Sequence, residues 1–216
     1  MDLSHWERRF AAFLDEAMRD ADAAHDRAHV RRVVATARDL AREEGAERAV
    51  VVPAAWLHDC VVVPKDAAAR AQASTLAAER AARFLAEAGY PAPWIPAIRH
   101  AIEAHSYSAG IPPETPEARV VQDADRLDAL GAIGIARCFA VGGALGRALY
   151  DPEDPFCADR PPDDGTYVVD HFYAKLLKLP ATMQSEAGRA EAERRVRFMR
   201  QYLRALGREI ARGVVG

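Results

Sequence analysis

Residues 29–40 read HVRRVVATARDL, with Val30, Val33, Val34, Ala37 and Leu40 at intervals of three and four among charged residues. A helix gathers such a set onto one face. The same period runs outward in both directions. Trp6, Phe10, Phe13, Leu14 and Met18 form a stripe before it, and Leu76, Ala77, Phe84 and Leu85 form one after it. Pro91 and Pro93 open a segment through Trp94, Ile98 and Ile102, as proline in a first helical turn does. The tail, residues 186–212, is rich in Ala, Glu and Arg, with Val196, Met199, Tyr202, Leu203, Leu206 and Ile210 on one side as a core or dimer face. Strand-like alternation is almost absent. The expected fold is an all-α helical bundle of about seven to nine helices.

Two stretches interrupt the helical period. Residues 110–116 are a short proline-containing connector, and residues 142–166 are a long loop dense in Gly, Pro and Asp. Loops of that length in compact domains are usually functional or mobile. Gly89-Tyr90-Pro91 reads as a helix stop. A chain of 216 residues, half of them apolar, suits one domain over 1–216. Its core is expected at about 20–180, with the helix 186–213 packed on it. The formal charge of -3 gives no global attraction to nucleic acid or an anionic membrane, so neither is an expected partner. Three cysteines, far apart and without a CxxC pair, read as reduced thiols in a cytoplasmic protein, monomeric or homodimeric.

The chemistry lies where charge interrupts apolar sequence. AVVVPAAWLHDCVVV (49–63) is the most apolar stretch, yet it holds His58 and Asp59 side by side. A buried carboxylate is costly unless it is paired or bound to a metal. The pair is therefore either a helix-terminal acid beside a satisfied core histidine, or part of a site. Other candidates are His25 and His29, four apart on one helical face, and His100 and His105, five apart. A second acidic run, VQDADRLDAL (121–130), places Asp125 and Asp128 on one face and Asp123 on another. Neutral imidazoles with carboxylates make a mixed N/O donor set suited to Mn²⁺, Fe²⁺, Co²⁺, Ni²⁺ or Zn²⁺.

The order His29, His58-Asp59, Asp125 resembles the H…HD…D signature of the HD-domain metal-dependent phosphohydrolases, an all-α family. The flanks HDRAHVRRV (25–33), AAWLHDC (54–60), EAHSYS (103–108), VQDADRLDALGAIGIAR (121–137), GGALGR (142–147) and HFYAKLLKL (171–179) are similar to its bacterial YpgQ/YedJ-like subgroup. By that resemblance His29, His58, Asp59 and Asp125 would hold one divalent ion, with Mg²⁺ added to the metals above. The activity implied is hydrolysis of nucleoside triphosphates with release of pyrophosphate. A 5′-nucleotidase or other phosphomonoesterase is the alternative, and a metal-stabilised nucleotide-binding regulatory module without turnover is another. His100 and His105 would line the pocket, and Asp128 would orient Arg126, a histidine or the substrate. Asp123 would cap or form a salt bridge. Phosphate, or another phosphate ester, would be held by Lys65, Arg126, Arg147 and Lys175. His25 would orient or cap, and His171 is either a packing or a pocket residue.

Overall fold

The computed structural model describes residues 2–17, 27–61, 72–106 and 109–213; Met18, His25 and Lys65 lie outside them. Among the described residues there are nine α-helices and no strand. They are α1 (Leu3–Ala17), α2 (Arg27–Glu44), α3 (Arg48–Leu57), α4 (Ala73–Glu87), α5 (Ile95–Glu103), α6 (Pro116–Leu127), α7 (Gly131–Ala144), α8 (Asp170–Ala174) and α9 (Glu186–Gly213). The all-α expectation holds, at the upper end of the expected helix count. None of these helices is long and apolar enough to cross a membrane. The chain divides into two compact units, Met1–Asp125 with Gln184–Gly188, and Arg126–Met183 with Arg189–Gly216.

In the first unit, α3 is the central helix and packs on α1, α2 and α5. The α2 stripe read from sequence is buried along Val30, Val33, Val34, Ala37 and Leu40. Phe10 and Leu14 bury the inner face of α1, while Phe13 stacks on Phe84 at 4.1 Å between ring centroids. Glu47 starts α3 by accepting the Ala49 N–H at 2.9 Å. Pro53 then sits inside α3 and has no N–H to give to the carbonyl four residues back, that of Ala49. The Tyr90 hydroxyl supplies the missing donor, reaching Ala49 O at 2.6 Å. Gly89, at φ +78°, ends the preceding helix and turns the chain to deliver Tyr90 there. The helix stop expected at Gly89-Tyr90-Pro91 is therefore also a peg for α3.

In the second unit, the Gly, Pro and Asp-rich loop is tied to one buried acid. Asp170 takes both terminal nitrogens of Arg160, at 2.5 and 3.0 Å, and the Asp163 N–H at 2.7 Å. Arg160 also donates to the Asp154 carbonyl at 3.0 Å. In GGALGR, Gly142 gives Val168 room: a Cβ there would lie 2.3 Å from Val168 Cγ2. On α9, Val196, Met199 and Leu203 are buried, and Tyr202 stacks on Phe172. That stripe is a core face.

Candidate metal centre

Three helices and one turn of the first unit bring the candidate donors together. His29 is in the first turns of α2 and is 1% exposed. His58 follows the last residue of α3, where free carbonyls are expected, and its Nδ1 donates to Ala55 O at 2.9 Å. That bond puts the proton on Nδ1 and leaves Nε2 with a lone pair facing inward. Asp59 comes next, and Asp125 lies in the last turn of α6. His105 sits in the turn after α5, with Nδ1 donating to Ile102 O at 2.6 Å.

The inward atoms lie at coordination spacing. His29 Nε2 is 3.4 Å from His58 Nε2, 3.4 Å from Asp125 Oδ1 and 3.8 Å from Asp59 Oδ2. His58 Nε2 is 3.5 Å from Asp59 Oδ2 and 3.8 Å from Asp125 Oδ1. Ligands at about 2.1 Å in a tetrahedron around one ion stand roughly 3.4 Å apart, so these edges suit a single small divalent cation. His29, His58 and Asp125 form one donor group, an electron-rich cluster of the kind that a cation completes. A second grouping, His58, Asp59 and His105, overlaps the first through His58, with His105 Nε2 3.6 Å from Asp59 Oδ1.

The electrostatics agree with that donor set. Burial pushes the His58 pKa down, outweighing the pull of Asp59, and so favours the neutral ligand form. Burial disfavours the charged forms of Asp59 and Asp125, but the facing histidines overcome it and hold both carboxyls below their ordinary range. Burial also works against a charged His105, and the Asp59 carboxylate reverses that, raising the pKa. Cys60, beside Asp59 in sequence, is no thiolate ligand: burial raises its pKa to about 12, and its Sγ donates to Ala77 O.

The structure thus gathers His29, His58, Asp59, Asp125 and His105 into two overlapping donor groups. His100 is in neither donor group; its Nε2 accepts the Glu114 N–H at 3.1 Å. Five residues turn a helix by roughly 140° past a full turn, and His105 lies beyond the helix end, so the two histidines do not act as a pair. Asp128 belongs to the second unit, where its carboxylate takes Arg137 Nη1 at 2.6 Å. Arg126 donates to Thr182 O at 2.5 Å. Arg147 is half-buried with its N–H on Gly142 O, and exposed Lys175 follows α8. His171 meets Asp164 at 2.7 Å. Lys65 and His25 fall outside the described residues. Asp123 caps, as expected, but it is fully buried: its carboxylate accepts the Gln184 and Ser185 N–H groups and the Ser185 hydroxyl at 2.6–3.1 Å. Sequence reasoning did not see Arg137 or Arg160: Arg137 reaches back from α7 to the turn after α6, and Arg160 meets an acid ten residues on along irregular chain.

Helices that gather His29, His58 and Asp125, with Asp59 beside His58, in this order define a protein class, and the HD domain family matches residues 27–130. The chain belongs to the HD superfamily of metal-dependent phosphohydrolases. Among its relatives, YpgQ of Bacillus subtilis (strain 168) is 32% identical over 202 residues, covering 92% of this chain and 90% of that protein. An HD-superfamily hydrolase from Bacillus thuringiensis superposes with a TM-score of 0.71 at 35% identity, over 94% of this chain and 97% of that one. Bacillus subtilis YpgQ in complex with ADP superposes with a TM-score of 0.69 at 30% identity, over 93% and 97% respectively.

Proposed function

We propose that this hydrolase acts on nucleotides, cleaving nucleoside triphosphates to release pyrophosphate. The observation that carries the reading is the gathering of His29, His58 and Asp125 into one donor group, with Asp59 Oδ2 3.5 and 3.8 Å from the two histidine nitrogens. The ADP complex of the relative YpgQ supports a nucleotide as the ligand.

The residues present fit one divalent ion, held by His29, His58, Asp59 and Asp125. When bound, such an ion lowers the pKa of a coordinated water and polarises a phosphoryl oxygen. The protein supplies the rest. His58 is fixed as a neutral ligand by its Nδ1 bond to Ala55 O. Asp59 turns Oδ2 toward the ligand nitrogens and Oδ1 toward His105, which we assign as the proton-handling group beside the reacting atoms. Phosphate oxygens need cations, and we retain Lys65, Arg147 and Lys175 for that role. Arg126 is a poorer candidate because one of its nitrogens already serves the Thr182 carbonyl. Three unpaired cysteines support a reducing compartment, the cytoplasm.

The test uses chelated full-length protein reconstituted separately with Mn²⁺, Co²⁺, Ni²⁺, Zn²⁺ and Mg²⁺. Each form is screened against nucleoside mono-, di- and triphosphates, with products resolved by ³¹P NMR. The expected result is metal-dependent formation of pyrophosphate and nucleoside monophosphate. Inorganic phosphate from monophosphates would favour a nucleotidase, and full activity in chelator-treated protein would overturn the metal-dependent reading.

A further inference from the structure

We infer that Gln122 is a positioning residue that sets the His105 imidazole against Asp59. This rests on the proposed reading that His105 stands beside the reacting atoms. Gln122 is 3% exposed and lies one turn before Asp125, on the same side of α6. Its Nε2 donates to the Ala104 carbonyl at 2.6 Å, in the buried turn that carries His105. Only the amide NH₂ can donate to a carbonyl, so the orientation of the amide is settled by this bond. The Ala104 N–H bonds His100 O at 2.9 Å. The His105 N–H reaches Ile102 O only at 3.4 Å, while the ring itself spends Nδ1 on the same carbonyl at 2.6 Å. Gln122 is therefore a strut from the helix bearing Asp125 to the turn bearing His105.

A second observation separates this role from simple core packing. Gln122 Oε1 is buried and has no hydrogen-bond partner among the described residues. A buried acceptor without a donor is costly, and an apolar side chain of similar size would fill the space without that cost. The amide is thus present for its N–H groups, and those hold Ala104. The ring that follows Ala104 then faces Asp59 Oδ1 at 3.6 Å, leaving Asp59 Oδ2 for the ligand cluster.

The experiment compares Gln122→Met, which keeps length and removes the donor, with Gln122→Asn, one methylene too short to reach Ala104. Ring resonances of the histidines are followed by NMR in metal-free protein, and metal content is measured after Mn²⁺ reconstitution. The steady-state constants for ATP are then determined in the wild-type and His105→Ala backgrounds. The expected result is displaced His105 ring signals with those of His29 and His58 unmoved and the metal equivalent retained. With it goes a drop in kcat of roughly 10–100-fold at nearly constant KM, as supporting contacts around metal sites produce. In the His105→Ala background the Gln122 variants should cost nothing further. Unmoved His105 signals in folded variants, or the same loss with and without His105, would overturn the inference. If the wild type hydrolyses no ATP, the proposed reaction fails, while the NMR comparison still decides the role of Gln122.

Discussion

Replacing Tyr90 with Phe removes one oxygen and tests how α3 tolerates a proline. Pro53 deprives the Ala49 carbonyl of its helical donor, and the Tyr90 hydroxyl replaces it at 2.6 Å. Both groups are buried, so Tyr90→Phe strands an acceptor in an apolar interior, at a cost of about 1–3 kcal/mol. For a chain of this size that lowers Tm by about 2–4 °C per kcal/mol, or roughly 2–12 °C in all. In Pro53→Ala protein the backbone N–H returns and can bond Ala49 O from within the helix. The hydroxyl then becomes redundant, and Tyr90→Phe should cost less than about 0.5 kcal/mol in that background. The assay is urea denaturation of the four proteins of the cycle, followed by far-ultraviolet circular dichroism. Equal losses from Tyr90→Phe with and without Pro53 would refute the idea that the tyrosine substitutes for the missing helix donor.

Four further outcomes are expected. Asp125→Ala should lose its bound metal by elemental analysis while remaining folded; Asp123→Ala, which strands buried donors of Gln184 and Ser185, should destabilise by about 3 kcal/mol or more by urea titration. Gly188→Ala would place a Cβ 2.4 Å from Asp123 Oδ2, so thermal scans should show a clear loss of Tm in a residue far in sequence from the donors. Arg160→Met leaves Asp170 buried without its bidentate partner, and limited proteinase K digestion should then cut the 151–164 loop faster than in the wild type.

Helical period alone sufficed for the α2 stripe and the inner faces of α1 and α9, because amphipathic helices state their buried side in the order of their residues. The donor set was legible for a different reason. His29, His58 and Asp125 are far apart in the chain, and no periodicity joins them; the family signature did. Within DADRLD, sequence separates the directions of Asp123 and Asp125 but not their burial. What seals Asp123 is backbone 61 and 62 residues downstream, and that pairing is visible only in three dimensions. The histidines of α5 misled for a local reason: His100 and His105 share a segment, but the helix ends between them. The stretch 142–166 reads as a functional or mobile loop because Gly, Pro and Asp dominate it, whereas its first residues end α7 and Arg160, with several carbonyl and carboxylate partners, organises the rest.

Asp123 and Asp125 are two steps apart on α6, about 200° around its axis. One is clamped by the chain at Gln184-Ser185 and the other looks into the donor cluster. A helix held by the reverse side resists rolling, which keeps Asp125 turned toward His29. Structural zinc sites, by contrast, spend binding free energy on folding the chain. A donor set held this way would need little ordering on binding, and an ion there would exchange without refolding the chain. Occupancy would then follow which divalent metals the cell supplies and how tightly each suits a rigid N/O set, with Cu²⁺ and Zn²⁺ as the strongest competitors by intrinsic affinity.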